Sequence, residues 1–144
     1  MRLDLESTPG STFAREPEEV LMDGIRFAKG EAILNEITKS DGRAVVQGLG
    51  DICPELGDFI VEFAYGDVIG RPGLSLRERE LSTIAMLGAM GGCEPQLKVH
   101  IQGSLNVGCS KAEIVETLLQ LCVYAGFPKA INAMGCAKDV LARA

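Results

Sequence analysis

Two short segments constrain this chain more than any others: Ser75-Leu76-Arg77-Glu78 and Ser110-Lys111-Ala112-Glu113. Each is a Ser-x-x-Glu capping box. The Ser oxygen accepts from the backbone N–H three residues on, and the Glu carboxylate reaches back to the Ser N–H. Helices therefore begin at these two points. The first carries Leu81, Ile84, Ala85, Leu87 and Gly88 and ends at Gly91-Gly92; the second carries Ile114, Thr117, Leu118, Leu121 and Ala125 up to Gly126-Phe127-Pro128. Between them Pro95 starts a helix with Leu97, Ile101 and Leu105 at four-residue intervals, which Gly108 stops.

Helical spacing continues on both sides. Upstream, Val20, Leu21, Ile25, Ala28, Ala32, Ile33 and Ile37 form one apolar stripe, crossed by Gly24 and Gly30, where the helix can break in two. Ala44, Val45 and Leu49 suggest a short helix, and Pro54 opens another through Leu56, Phe59, Ile60 and Phe63. The clearest loop is Gly70-Arg71-Pro72-Gly73; downstream, Ala130, Met134, Ala137 and Leu141 carry a final helix. No run alternates apolar and polar residues between hairpin turns, so the expectation is an all-α domain of six or seven helices over residues 17–144. Residues 1–16 mix Ser, Thr, Pro, Gly and charge without a period and read as a mobile arm, or as one ordered only by a neighbouring subunit.

Composition excludes several function classes. A chain of 144 residues that is 47% hydrophobic suits one core and leaves no room for a second catalytic domain. Fourteen Lys and Arg against twenty Asp and Glu give a charge of −6, with no basic cluster, so nucleic acid is not expected as a partner. No stretch approaches the roughly 20 apolar residues of a membrane span, and the polar N-terminal sequence lacks the order of a signal peptide. A cytoplasmic location is expected, with no membrane partner.

Cys53, Cys93, Cys109, Cys122 and Cys136 include no C-x-x-C pair and read first as buried free thiols; His100 is the only histidine, so no metal site is expected. Small residues such as Ala85, Gly88, Gly103, Ala125 and Ala133 let helix axes approach closely, but aromatics are only 5% of the chain and each helix buries little. A homo-oligomer would complete the core.

Few residues are equipped for chemistry. Glu80 stands four residues before Ile84 and seven before Leu87, so it points with the apolar face and needs a partner. His100, twenty residues on, lies on the next antiparallel helix, where a two-helix hairpin can bring the two together. It is the one side chain that ordinarily titrates near neutrality, although a lone helical histidine is more often structural. Cys93 sits at the entrance of the His100 helix, where the helix dipole favours a thiolate, and Gln96 offers an amide one turn before His100.

With these residues in place, the chain resembles the carboxymuconolactone decarboxylase family, which also contains the alkyl hydroperoxidase D proteins. The resemblance runs from about Leu21 to Leu141. It is most specific in RPGLSLRERELSTIAML, QLKVHIQGSLNVGCSKAEIVETLLQ and VYAGFPKAINAM, which carry an ordered R-P-G-L, a histidine before G-x-L-x-x-G, E-I-x-E and Y-x-G-x-P. It implies helical subunits assembled as ring-shaped trimers or hexamers, with the active site near the histidine at a subunit contact. The peroxidase branch of the family has Glu, then C-x-x-C, then His. Glu80, Cys93 and His100 match that set with one extra residue between Glu80 and Cys93, but Gln96 replaces the second cysteine, so a two-thiol cycle is not available. The decarboxylase branch more often has Ser at the Glu80 position, while its flanking motifs match better.

The resemblance therefore implies, first, a cofactor-free decarboxylase of γ-carboxymuconolactone or a related lactone acid, of the kind used in aromatic catabolism. Catalytic roles fall to His100 as acid or electrophilic donor and Glu80 as its partner. Arg71 is the candidate carboxylate clamp, with a surface ion pair as its competing reading; Gln96 is a polar contact, and Tyr124 either lines the pocket or packs. Two alternatives remain: a one-thiol peroxidase or redox protein using Cys93 with Glu80 and His100, and a catalytically silent helical oligomer.

Overall fold

Every regular element among the described residues is helical. The computed structural model describes residues 17–144, with side chains from residue 24 on, so the expected N-terminal arm at 1–16 lies outside the described residues. The elements are α1 (Pro17–Thr38), α2 (Ser40–Gly48), α3 (Pro54–Phe59), a π-helix (Ile60–Ile69), α4 (Leu76–Met90), α5 (Glu94–Asn106), α6 (Lys111–Leu119), α7 (Leu121–Tyr124) and α8 (Phe127–Leu141). Because α3 continues directly into the π-helix and only Gln120 separates α6 from α7, the described residues form seven rods.

Both capping boxes form as the sequence requires. The Ser75 hydroxyl accepts from the Glu78 N–H while Glu78 accepts from the Ser75 N–H at 2.7 Å, and Ser110 with Glu113 repeats the arrangement at 2.9 Å. Arg77 in the first turn of α4 pairs with Glu113, so the two capped helix starts are tied to each other. Helix ends follow the glycines: Gly91, Gly108 and Gly126 have φ of 71°, 92° and 89°, a region that costs an L side chain energy.

Three details depart from the sequence expectation. Helix α1 runs unbroken through Gly24 and Gly30. Gly30 is a packing residue, because a Cβ there would collide with the carbonyl of Val61, and this lets α1 lie against the π-helix backbone to backbone. Second, the helix opened by Pro54 widens to i→i+5 bonding, as in the Gly70 N–H to Tyr65 carbonyl bond of 2.8 Å. Third, the helix expected from Ser110 to Ala125 is interrupted at Gln120.

The interior divides into two clusters. Ile84, Leu97, Ile101, Ile114 and Leu118 anchor one among α4–α8, and Leu34, Ile37, Val61 and Tyr65 form the other between α1 and the π-helix. Burying each such aliphatic side chain contributes about 1.5–3 kcal/mol. The Asn106 amide donates to the Ile37 carbonyl at 2.7 Å and stitches the end of α5 to α1. The seam between the clusters is where a polar pair is buried. No helix among the described residues is long and apolar enough to cross a membrane.

Candidate functional site

The box at Ser75 sets the register of α4, so residue 80 falls on the face that also carries Ile84 and Gly88, and all three are buried. The short link through Gly91, Gly92 and Cys93 reverses the chain into α5. Contacts are symmetric about this link: the Cys93 thiol reaches the Leu87 carbonyl at 3.3 Å, and farther out Glu80 meets His100. The two helices thus form the antiparallel hairpin that the spacing required.

Glu80 Oε2 lies 2.9 Å from His100 Nδ1, with the Glu80 side chain fully buried and that of His100 17% exposed. A carboxylate accepts, so the imidazole donates through Nδ1–H, leaving Nε2 for other chemistry. Gly103 makes room for the carboxylate, because a Cβ there would stand 2.8 Å from Glu80 Oε2. The other oxygen, Glu80 Oε1, is buried with no hydrogen-bond partner among the described residues. Its charge acts on a neighbour: burial first, and then Glu80, hold the Tyr65 phenol far above its ordinary range. Tyr65 is therefore a neutral donor at every physiological pH.

His100 lines a cavity of about 340 Å³ at the seam of the two clusters, within the roughly 300–1,000 Å³ typical of small-molecule sites. Leu34 and Thr38 of α1, Val45 of α2, Ile60, Ala64, Tyr65 and Ile69 of the π-helix, and Thr83, Gln96, Val99 and His100 of α4 and α5 line it. The walls are mostly apolar, with a few polar groups set among them. The π-helix contributes four of these positions, consistent with the tendency of such segments to occur where a wall is shaped for a ligand.

The sequence-based candidates fall into two sets. Glu80 and His100 are in contact, and Gln96 shares the His100 cavity. Cys93 was expected beside that cavity, but its thiol points back at the Leu87 carbonyl and lines a separate crevice with Lys129 and Asn132. Arg71 is exposed in the turn before α4, where its carbonyl accepts from Arg79 Nη2 at 2.9 Å, and it does not line the cavity. Tyr124 is 85% exposed on α7, also away from it. The phenol at the cavity is Tyr65, which the sequence reading passed over. All five cysteines are free thiols, and among the described residues no three His, Cys, Asp or Glu side chains converge as metal ligands.

Comparison with known proteins places this geometry in context. A family model described as the carboxymuconolactone decarboxylase family matches residues 54–139. The chain is similar to a 4-carboxymuconolactone decarboxylase of Acinetobacter baylyi, 36% identical over 120 residues that cover 82% of this chain and 88% of that protein. It is also similar to an uncharacterized 15.0 kDa protein of Paracoccus denitrificans, 30% identical over 67% of this chain and 73% of the relative. A third relative, the nitrosuccinic acid decarboxylase of Metarhizium robertsii, is 38% identical over 54% of this chain and 53% of its own length.

Proposed function

The chain belongs to the carboxymuconolactone decarboxylase family, and on that premise we propose that it is a cofactor-free decarboxylase of γ-carboxymuconolactone or a related lactone acid. The observation that carries the reading is the buried Glu80–His100 pair at the wall of a largely apolar cavity. Two relatives whose names describe decarboxylases support the reaction class.

Such a substrate carries its own electron sink. When the C–CO2 bond breaks, its electron pair runs through the conjugated system to the lactone carbonyl oxygen, CO2 leaves, and a dienolate remains to be protonated on carbon. The protein must orient the substrate, exclude water, stabilise the oxygen charge and supply one proton. His100 supplies the proton through Nε2, because Nδ1 is committed to Glu80. Glu80 fixes the ring orientation and faces the positive charge of the imidazolium that donates. Apolar walls favour loss of CO2 by keeping water from the departing carboxylate.

Gln96 is the polar contact in this scheme. Arg71 acts as a carboxylate clamp only where a neighbouring subunit's cavity lies against it. The proposed working unit is accordingly a homo-oligomer, a trimer or hexamer, and the large apolar side chains exposed on α4, α7 and α8, among them Met86, Met90, Phe127 and Ile131, support it. Cys93 is outside this chemistry. Loss of the lactone's ultraviolet absorbance, followed with the wild type and His100→Ala, tests the proposal: steady decay with the first and about 100-fold slower decay with the second are expected. No decay with the wild type would refute it.

A further inference from the structure

The cavity itself supplies a donor for the dienolate oxygen. Tyr65 sits in the π-helix, is 6% exposed, and lines the cavity with His100. A buried tyrosine normally gives its hydroxyl hydrogen to a protein group. The Tyr65 hydroxyl has no such partner among the described residues, whereas the fully buried Ser104 and Thr38 hydroxyls both do, to the carbonyls of His100 and Leu34. Nor is it sealed in the interior: among the described residues the buried polar side-chain atoms lacking a partner are Arg79 Nε and Glu80 Oε1, so the Tyr65 oxygen keeps some accessible surface, and Tyr65 is one of the residues that line the open cavity. The phenol, kept neutral by burial first and by the nearby Glu80 carboxylate second, thus lines a space that a ligand can fill.

We propose that Tyr65 is a hydrogen-bond donor to the bound substrate, directed at the lactone carbonyl oxygen that gains charge as the carboxyl group leaves. The identity of that substrate rests on the decarboxylase reading. Tyr65 keeps its proton throughout: the electron pair of the breaking C–CO2 bond arrives at the carbonyl oxygen, the phenolic O–H shortens its bond to that oxygen, and the proton that ends on carbon comes from His100. A neutral donor suits this task, because a phenolate would repel both the substrate carboxylate and the growing oxyanion. Glu80 also orients His100 through Oε2, while burial first, and its carboxylate second, hold the Tyr65 phenol in its neutral form.

The chain makes the test clean, because it has no Trp and only two tyrosines. In Tyr124→Phe, Tyr65 is the sole tyrosine, and its ultraviolet band reports its hydrogen bonding directly. Titration of that variant with γ-butyrolactone-γ-carboxylate, a lactone acid with no conjugated sink, should shift the band to the red. The same titration of Tyr65→Phe should show binding by calorimetry without that shift. With a decarboxylating lactone, Tyr65→Phe should lose about 100-fold in kcat with KM within about threefold, the pattern of a donor lost from the transition state. Because the hydroxyl has no partner among the described residues, Tyr65→Phe should melt at the wild-type temperature. If the probe binds without moving the band and Tyr65→Phe keeps its kcat within twofold, the role of Tyr65 is overturned while the decarboxylase reading stands. If the protein neither binds the probe nor decarboxylates a lactone acid, both fall; a tyrosine shift without turnover retains Tyr65 as ligand donor and removes the decarboxylase reading alone.

Discussion

Glu80 and His100, twenty residues apart on the two arms of one helical hairpin, meet at 2.9 Å with the carboxylate fully buried. This contact sets stability and chemistry together, and two substitutions separate them. Breaking a buried ion pair by removing one partner costs about 3–5 kcal/mol, because the other group keeps its desolvation penalty. His100→Ala should therefore lower the melting temperature by many degrees. Glu80→Gln keeps an oxygen acceptor for Nδ1–H and removes the charge, so it should cost less than about 2 kcal/mol. Chemical denaturation of both variants checks the ordering, which reverses if His100 is a surface group of no consequence.

Gly103 is the point at which the backbone gives way to that carboxylate. An added methyl would face Glu80 Oε2 at 2.8 Å and Ile37 Cγ2 at 2.9 Å. Gly103→Ala should cost about 1–3 kcal/mol as an overpacked site, and it should lower kcat by displacing Glu80 from His100. Denaturant midpoints and turnover of the purified variant, measured together, would show either loss alone if the two residues are uncoupled.

How much of this was legible in the sequence depended on whether the cause was local. Ser75 with Glu78, Ser110 with Glu113, and glycines that must take positive φ carry their signal within four residues, and helix starts and stops followed from them. Glu80 and His100 were legible because a carboxylate on an apolar face needs a partner and the intervening turn is short. Gly30 misled, since a glycine that breaks a helix and one that admits a neighbouring helix look the same until Val61 is seen against it. Nothing local marks i→i+5 bonding, so the widened turn that presents Tyr65 could not be anticipated. Tyr124 drew attention through its motif, yet its ring lies outside.

Cys93 should prove dispensable for decarboxylation. Its thiol faces the Leu87 carbonyl in a crevice apart from His100, so Cys93→Ser should retain kcat within about twofold, far from the 100-fold or greater losses of groups that move protons. Steady-state kinetics of this variant with the lactone, and with an alkyl hydroperoxide and a thiol reductant, distinguish the two branches. Peroxide turnover abolished by Cys93→Ser would favour the thiol enzyme.

Burial pushes the Cys109 and Cys136 thiols above their ordinary range. The sign is that of acids whose neutral form the fold prefers. Their contribution to stability is complete below the pKa of an unfolded thiol, about 8.5, and is lost as the pH rises from there through the higher folded values. Unfolding free energy should therefore decline on the alkaline side, and Cys109→Ala with Cys136→Ala should flatten that decline. Alkylation of the native protein should reach these two cysteines last as the pH is raised. Their prompt labelling at neutral pH would contradict the assignment.

The central claim is that the buried carboxylate–imidazole pair drives loss of CO2 from a lactone acid, and Glu80→Gln tests it most directly because the fold is retained. The measurement is CO2 released from γ-carboxymuconolactone by the wild type and by Glu80→Gln at equal concentrations of folded protein. One CO2 per lactone consumed from the wild type, with a rate about 100-fold lower or less from Glu80→Gln, is the predicted result. Equal rates from the two proteins, or no CO2 from the wild type, would contradict it.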